Sequence, residues 1–581
     1  MLGKRQRAPR EDDGPSHTKR QCIPEAFSAP PSIPADTRDR LSSLSDEIVI
    51  RVLSYLPIST LLDVSLVSRY FNRLASDSQI WRALYYSRFV LPRALRIPGF
   101  RDGSKKHGSR LHYSARRAVW TDGASGTRGG LVDMRRSNAD GDTPSVNWKR
   151  QYKLRHNWAR GKATVEELDV TGHETAPKRT LVKVVEGIAV TADASSGLRA
   201  WDLRTKAQMV QIGLQDDHGQ VPEPTCLAVD DQLLGEKKLD VCLGFLDGSF
   251  GVWRLDLRRN EMERRYRHVK SSNGQLIGVS YQHPFLLTAT DSVLVSLYDF
   301  DGAFHDRKSA SDESDEPDES DEPVKDDATK GGRLLPAPVL MTSLKSHSSR
   351  APLALSIRRM VSSVVASIAY TFPNRQGWSI GIQDLHIRQS RTDGPKVASS
   401  RLAYTLPVCS TQAHASPAVP ASQAEGSSRP PNSTALPDGP TRLCYSHPYL
   451  LATLPDNTLV LHVCTSNATA LSISPGIRLW GHTSGISDAE ITARGKAVSV
   501  SCRGEEIRVW ELEGRAGGNS IEVRPSMNLE EKGLDGGEEE LTAREDEWDD
   551  RRNWVGFDDE MVIVLKEARD GRESLVVYDF T

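Results

Sequence analysis

The sequence lacks several features that would place it in a common functional class. No stretch approaches the roughly 18 apolar residues that a membrane-spanning helix requires. The first residues contain no apolar segment typical of a secretory signal, so we expect no such signal. We also expect no membrane partner. The seven cysteines are scattered and never form C-x-x-C, which argues against a zinc framework or a disulfide scaffold. The net charge of -2 creates no overall field that would select nucleic acid.

Sequence motifs of common enzymes are missing as well. None of the patterns G-x-x-x-x-G-K-[ST], H-E-x-x-H or G-x-S-x-G occurs. None of the fifteen histidines pairs with a plausible nucleophile at an interpretable spacing. We therefore predict a non-catalytic chain with no catalytic residues, no cofactor and no metal.

The 581 residues predict more than one domain, and the hydrophobic fraction of 38% predicts substantial segments outside a core. Residues 1–40 are rich in proline, serine and charge, which is typical of a disordered tail. The basic pairs that begin at Lys4 and Lys19 are either a bipartite nuclear import signal or ordinary tail charges. We expect the protein in the nucleus, the cytoplasm or both.

Residues 41–90 have the apolar spacing of short amphipathic helices. Ile48, Val52 and Leu56 recur at helical intervals, and Val49 and Leu53 widen the same stripe. Three short helices bury too little surface to be stable alone. The leucine-rich surface therefore predicts that a partner completes this segment.

Serine residues mark the predicted helix starts. Ser45 is expected to cap the first helix, Ser59 the second and Ser68 a third that extends to Trp81. Pro57 is expected to stop the first helix.

These residues resemble an F-box, the motif that docks on the Skp adaptor of cullin-based SCF ubiquitin ligases. The resemblance rests on Leu44, Glu47, Ile48, Leu53, Leu56, Pro57, Leu62, Val67 and Trp81. Ser45 departs from the motif, which usually has proline there. The alternative is an ordinary helical hairpin within a globular domain. The resemblance implies adaptor binding with the following residues as anchors or supporting core: Leu44, Ile48, Leu53, Leu56, Leu62, Val67 and Trp81.

Two linking segments follow. Residues 91–144 are basic and then glycine-rich, and the basic run over 88–117 either contacts an acidic partner or is a solvated loop. Residues 145–161 predict a helix that Gly161 ends. They resemble the linker of F-box proteins with WD repeats, in which a W-x3-Y helix and an Asn-Trp pair lead into the propeller. Here those residues are Trp148, Tyr152, Asn157 and Trp158.

Residues 162–581 contain short strand-like runs in which a histidine precedes an aromatic–acidic pair at similar distances. His173 precedes Trp201 by 28 positions, and His482 precedes Trp510 by 28. This resembles the G-H…W-D repeat of WD propellers. The resemblance implies structural roles for His173, Trp201, Asp202, His218, Trp253, His268, Tyr298, Asp299, His482 and Trp510. The predicted fold is multidomain, with a small all-α F-box, a linker helix and an all-β WD-repeat propeller.

The length favours seven blades, although six or eight remain possible. Three biased segments, 303–338, 390–440 and 514–553, are predicted to be disordered insertions, and setting them aside leaves about 42 residues per blade. The acidic tract 312–327 is either a solubilising loop or a site for phosphate or a basic partner. Residues 163–170 are expected to supply the outer strand of the last blade and close the ring.

The combined resemblance implies a non-catalytic substrate receptor of an SCF-type ligase, which binds the Skp adaptor and through it a cullin/RING core. The resemblance does not identify the protein substrate, and recognition with or without phosphorylation of that substrate stays open. Arginine pairs well with phosphate, so Arg179, Arg358 and Arg503 are candidate substrate contacts. Arg503 stands where the repeat usually has aspartate. The alternatives are a scaffold outside any ligase and a propeller associated with nucleic acid or chromatin.

Overall fold

A computed structural model describes residues 41, 43–94, 147–170, 180–215, 219–301, 334–346, 349–360, 363–374, 377–390, 394–406, 439–467, 469–493, 495–502, 504, 506–512, 520–525, 554–567 and 573–581. The predicted tail and most of the basic linker and of the three insertions lie outside these ranges. The chain divides into two compact units between Asp77 and Ser78. No helix in the described ranges is both long enough and apolar enough to cross a bilayer.

The first unit contains three helices. They are α1 (Asp46–Leu53), α2 (Ile58–Val67) and α3 (Arg69–Ala75). The predicted cap at Ser68 is confirmed, because its hydroxyl accepts a hydrogen bond from the Phe71 amide at 3.2 Å. The Asp46 carboxylate accepts from the Tyr70 hydroxyl at 3.1 Å and from Arg73 at 2.8 Å. These bonds connect the start of α1 to α3.

Of the other predicted caps in this unit, Ser45 is correct in position and Ser59 is wrong. Ser45 occupies the N-cap position of α1, but its side chain makes no capping hydrogen bond. Pro57, rather than Ser59, occupies the N-cap position of α2, with φ −64° and ψ 154°. Proline holds that φ, and its extended ψ turns the chain into a new helix at the next residue. Helix α1 already ends at Leu53 with Ser54 as its C-cap, so the prediction that Pro57 stops α1 is wrong.

The second unit opens with helices. They are α4 (Ser78–Tyr85), a π-helical turn (Tyr86–Val90), α5 (Leu91–Ala94) and α6 (Trp148–Trp158). The predicted third helix is thus split, with Trp81 on α4. Asn147 caps α6 by accepting from the Arg150 amide at 3.1 Å. Gly161 has φ +66°, and a Cβ there would lie 2.1 Å from the Glu522 carbonyl oxygen, so this turn requires glycine.

The rest of the described chain forms seven antiparallel sheets, which are the blades of a propeller. Blade one contains β2 (Leu181–Val185), β3 (Ile188–Asp193), β4 (Gly197–Asp202) and β5 (Ala207–Ile212). Blade two contains β6 (Pro224–Asp230), β7 (Lys238–Phe245), β8 (Phe250–Asp256) and β9 (Glu261–Arg267). Blade three contains β10 (Leu276–Gln282), β11 (Phe285–Thr290), β12 (Leu294–Asp299) and β13 (Val339–Lys345). Blade four contains β14 (Arg350–Arg359), β15 (Val364–Asn374), β16 (Gly377–Ser390) and β17 (Gly394–Tyr404). Blade five contains β18 (Arg442–Ser446), β19 (Tyr449–Thr453), β20 (Leu459–Ser466), β21 (Leu471–Ile473) and β22 (Ile477–Leu479). Blade six contains β23 (Ile486–Ile491), β24 (Lys496–Ser501), β25 (Ile507–Glu511) and β26 (Ser520–Glu522). Blade seven contains β28 (Trp554–Phe557), β29 (Met561–Glu567), β30 (Glu573–Asp579) and β1 (Lys162–Asp169), with the two-residue β27 (Arg524–Pro525) at its edge.

The predicted ring closure is confirmed. Strand β1 pairs antiparallel with β30, from Thr164 opposite Asp579 to Asp169 opposite Ser574. The first strand of the propeller is therefore the outer strand of its last blade. This pairing joins the two ends of the ring, and β27 covers part of the outer edge in parallel register.

Blade four differs from the other blades in length. Its strands have 10 to 14 residues, whereas no other strand in the described part of the chain exceeds eight. The predicted insertion 390–440 is wrong over 394–404, where the chain forms β17. The alternation of half-buried and exposed residues in β17 is a strand pattern, but its serine, lysine and proline content resembles that of a loop.

The antiparallel connections give the propeller two distinct faces. The turns from first to second strands and from third to fourth strands lie on one face, which also contacts α6 and is called the linker face here. The turns from second to third strands, and the connections between blades, lie on the opposite face. Seven apolar clusters fill the spaces between neighbouring blades.

Candidate functional site

Helices α1 and α2 expose an unusual number of large apolar side chains for so small a unit. Ile48 is 50% exposed and Val67 is 72% exposed. The exposed apolar set consists of Leu44, Ile48, Val52, Tyr55, Leu62, Leu66 and Val67. Exposed apolar residues grouped in this way are typical of interaction sites, because water contact with each of them is unfavourable.

The apolar stripe that predicted α1 is divided between two environments. Val49 and Leu53 are buried, whereas Ile48 and Val52 on the same helix are exposed. Among the sequence-predicted adaptor residues, Leu53 and Trp81 belong to the supporting core, because they are 4% and 3% exposed. Leu56 is half-buried. Sequence reasoning missed Val52, Tyr55 and Leu66, although their apolar character was visible.

Helix α4 packs on α6 through aromatic side chains. The rings of Trp81 and Tyr152 are 5.4 Å apart in an edge-to-face arrangement, and so are those of Tyr85 and Trp148. The Arg155 side chain donates a hydrogen bond to the Tyr85 hydroxyl at 3.3 Å. Trp148, Tyr152 and Arg155 therefore lie on one face of α6 and contact the same neighbour, α4.

Helix α6 is in turn anchored to blade seven. The Trp158 ring stacks on Phe580 with centroids 3.9 Å apart, and its Nε1 donates to the Asp559 carbonyl at 3.0 Å. Asn157 donates to the Phe580 carbonyl at 2.8 Å. The Lys496 ammonium lies 3.7 Å from the Trp158 ring centroid. The predicted Asn-Trp pair thus connects the linker helix to the propeller.

Blade six contains the most complete repeat site. Ser499 Oγ lies 2.6 Å from His482 Nε2 and accepts a hydrogen bond from Trp510 Nε1 at 2.8 Å. His482 Nδ1 is 3.3 Å from a carboxylate oxygen of Glu506. Burial lowers the pKa of His482, so this imidazole is neutral at neutral pH. Glu506 takes the place of the missing aspartate, and sequence reasoning overlooked it because it lies three residues beyond Arg503.

Aspartates at the ends of third strands have a second structural role. The carboxylates of Asp202 and Asp299 accept hydrogen bonds from the amides two residues later, at 3.0 Å each. Asp256 and Asp579 make the same turn at 2.8 Å each. The acidic member of each pair therefore shapes the turn to the fourth strand.

The remaining repeat residues differ in their contacts. Trp201 Nε1 donates to Thr191 Oγ1 at 3.0 Å, and Trp253 is buried. His268 stacks on Phe250 with centroids 4.4 Å apart and lies 5.9 Å from the Tyr298 ring. His173 and His218 lie outside the described residues.

The predicted arginine cluster is not supported at Arg358. Its guanidinium donates to Asp384 at 2.9 Å, to Ser367 at 3.0 Å and to the Tyr445 hydroxyl at 3.1 Å. Asp384 is fully buried, so Arg358 neutralises an internal carboxylate and is wrong as a substrate contact. Arg179 and Arg503 lie outside the described residues. No three described His, Cys, Asp or Glu residues are grouped as metal ligands.

Comparisons with known proteins agree with both parts of the chain. Residues 163–581 match the family described as "F-box protein pof12 beta-propeller", and residues 41–87 match the family described as "F-box-like". A curated relative, "F-box protein dre-1" of Caenorhabditis elegans, is 31% identical over 104 residues. That alignment covers 18% of this chain and 10% of the relative, so the chain spans about a tenth of the relative's length.

Solved structures give weaker similarities. The RRP9 WD40 repeats align with 72% of this chain and 97% of that chain at 9% identity and a TM-score of 0.37. The Cps50 (Swd1) β-propeller domain of Myceliophteria thermophila aligns with 72% of this chain and 100% of that chain at 12% identity and a TM-score of 0.34.

Proposed function

Since the chain belongs to the F-box protein pof12 β-propeller family, we propose that it is the substrate-recognition subunit of an SCF-type ubiquitin ligase. The exposed apolar set on α1 and α2 is the observation that carries this proposal. Side chains of this kind gain free energy when a partner removes them from water. We assign that partner as a Skp-type adaptor, which connects the chain to a cullin/RING core.

The adaptor contacts are assigned to Leu44, Ile48, Leu62 and Val67, with Leu56 at their edge. Val52, Tyr55 and Leu66 extend the same set. Leu53 is buried on α1, and Trp81 is buried against Tyr152 on α6, so truncation of either residue acts through stability. This division distinguishes contact residues from core residues among the apolar positions of the motif.

The packing of α6 supports the second half of the proposal. Trp81 on α4 contacts Tyr152 on α6, and Trp158 on α6 stacks on Phe580 of the propeller. Aromatic contacts at both ends hold this part of the motif at a fixed distance from the blades. A receptor acts by holding a substrate lysine near the conjugating enzyme, which raises the effective concentration of the reacting groups. The chain binds its substrate and leaves catalysis to other subunits, in the nucleus, the cytoplasm or both.

Affinity capture tests this proposal. Intact protein, a Leu44→Ala/Ile48→Ala double variant and a Val269→Ala control would be compared by mass spectrometry for the adaptor and the cullin. Val269 is 76% exposed on the propeller, so the control removes a similar apolar surface elsewhere. We expect both partners with the intact protein and the control, and neither with the double variant.

Two results would contradict the proposal in different ways. Recovery of the adaptor without the cullin would indicate a scaffold outside any ligase. Recovery of neither partner by the intact protein would mean that the exposed apolar set binds something else.

A further inference from the structure

Third-strand tryptophans fill the spaces between neighbouring blades. Trp201 packs between blades seven and one, Trp253 between blades one and two, and Trp510 between blades five and six. All three are buried. A large aromatic side chain at this position therefore closes the junction with the preceding blade.

In blade four the bulge of the third strand precedes Ile387, so the buried Ile387 takes the tryptophan position and Gln383 lies four residues earlier on β16. Gln383 lines an open cleft of about 560 Å³ between blades three and four. The cleft opens where second strands end and third strands begin, on the face opposite α6. The long strands of blade four extend one wall of it.

The walls of the cleft are mainly apolar and aromatic. Val293, Val295 and Leu344 line the blade-three side, and Phe372 and Tyr404 line the blade-four side. The Phe372 and Tyr404 rings are 5.5 Å apart in an edge-to-face arrangement. Tyr404 is 55% exposed, so its ring is available to a bound chain.

A neutral phenol stands deeper in the same wall. Burial and a hydrogen bond with Tyr404 raise the pKa of Tyr370, so the Tyr370 phenol is uncharged at neutral pH. The volume lies within the range of about 300–1,000 Å³ that is typical of ligand pockets. One large apolar side chain with its flanking backbone fits such a space.

The charge of the cleft is positive. Lys345 is its one charged lining residue among those that the structure describes, and none of them is a carboxylate. Lys345 makes no ion pair or side-chain hydrogen bond with any described residue. Arg350 follows the lining residue Ser349 and is exposed. An acidic ligand would thus meet an unneutralised ammonium at the edge of an apolar cavity.

We propose that this cleft binds an extended segment of the substrate protein in which an aromatic or large aliphatic residue stands beside aspartate or glutamate. The apolar side chain occupies the cleft beside Gln383, and the carboxylate pairs with Lys345. This inference rests on the proposed receptor function and assigns its substrate class.

A random dodecapeptide library displayed on phage, selected on the purified full chain, tests the inference. We expect the selected peptides to combine a large apolar residue with neighbouring acidic residues. Binding of the best synthetic peptide would then be measured by fluorescence polarisation. Gln383→Trp should abolish that binding, because the new side chain fills the cleft, and Lys345→Glu should weaken it about tenfold or more.

Gln208→Trp is the matched control, since Gln208 is exposed on the outer strand of blade one. The control should bind the peptide like the intact chain. Selection of basic peptides, or equal binding by the intact chain and Gln383→Trp, would overturn the inference.

Adaptor capture by Gln383→Trp distinguishes this failure from failure of the proposed function. If Gln383→Trp captures the adaptor and binds the peptide as well as the intact chain does, the cleft assignment alone is contradicted. If the intact chain captures no adaptor, the proposed receptor function is contradicted, whatever the peptide result.

Discussion

Blades four and six follow the same four-strand plan but differ at the junction with the preceding blade. In blade six, Trp510 is buried against Ser499 and closes the junction with blade five. In blade four, the smaller Ile387 takes this position and is buried in the cluster shared with blade three. Gln383, four residues earlier, borders a cleft that stays open on one face. The repeat thus tolerates a smaller apolar residue at the tryptophan position without loss of the fold, and the open cleft is available for binding.

The polar contacts of the two blades also differ. Blade six pairs the neutral imidazole of His482 with the Glu506 carboxylate, whereas blade four places the Arg358 guanidinium against the fully buried Asp384 carboxylate. A buried charge must be paired to be stable, so Arg358 and Asp384 depend on each other. Blade four therefore contains an internal salt bridge, and blade six contains a hydrogen-bonded tryptophan site.

Among the substitutions that test this comparison, Trp510→Ala should have the largest effect on stability. Removing a fully buried tryptophan should lower the free energy of unfolding by about 3–5 kcal/mol. Gln383→Ala should lower it by less than about 0.5 kcal/mol, because the glutamine borders an open space. Chemical denaturation followed by far-ultraviolet circular dichroism would measure both. Equal losses for the two variants would show that the blades do not differ as described.

Gln383→Trp should change the free energy of unfolding less than Trp510→Ala does, and in the opposite direction. Filling the junction should raise the free energy of unfolding by about 1 kcal/mol, as cavity-filling substitutions commonly do. Thermal unfolding of this variant beside the exposed Gln208→Trp control would detect the change. A destabilised Gln383→Trp variant with an unchanged control would indicate that the cleft walls cannot accept the ring.

The smallest expected effect is a change of stability with pH that involves Glu186 and Glu506, which lie in turns on opposite faces of the propeller. Burial, followed by repulsion from Asp231, raises the pKa of Glu186 to about 7. Burial opposes ionisation of Glu506 too, but hydrogen bonds from the Thr483 amide and Arg508 lower its pKa overall. The folded chain holds the Glu186 proton more tightly than the unfolded chain, so stability falls as pH rises from 4.5 towards 7. Glu506 instead contributes stability at neutral pH that is lost on acidification.

Glu186→Gln should therefore raise the melting temperature at pH 8 and change it little at pH 4. Glu506→Gln should lower it at pH 8 and less at pH 4. Calorimetry at the two pH values would measure both variants. A pH-independent effect of Glu186→Gln would mean that its ionisation does not affect stability.

Much of the fold follows from local patterns. Apolar runs separated by turn residues predicted the blade strands, and the unpaired strand-like run at 163–170 predicted the closure that β1 and β30 make. Strand alternation and turn chemistry act over a few residues and are visible in sequence. The error at β17 has the same origin, because an outer strand with one solvated side has the composition of a loop.

The candidate sites were less predictable because they depend on distant neighbours. The helical spacing of α1 predicted an apolar stripe but not which half of it is covered, so Leu53 was grouped with Ile48. Arg358 looked available for substrate because its partner Asp384 is 26 residues away. The cleft beside Gln383 could not be predicted, because it forms only where blade three lies beside blade four.

The most direct test of the central claim is calorimetric titration of the purified chain with a purified Skp-type adaptor. The receptor account predicts saturable binding of one adaptor per chain. Ile48→Asp should abolish it, because a charge would replace an exposed apolar contact, while Gln383→Trp should leave it unchanged. Absence of binding by the intact chain, or equal binding by Ile48→Asp, would contradict the assignment of the exposed apolar set as the adaptor site.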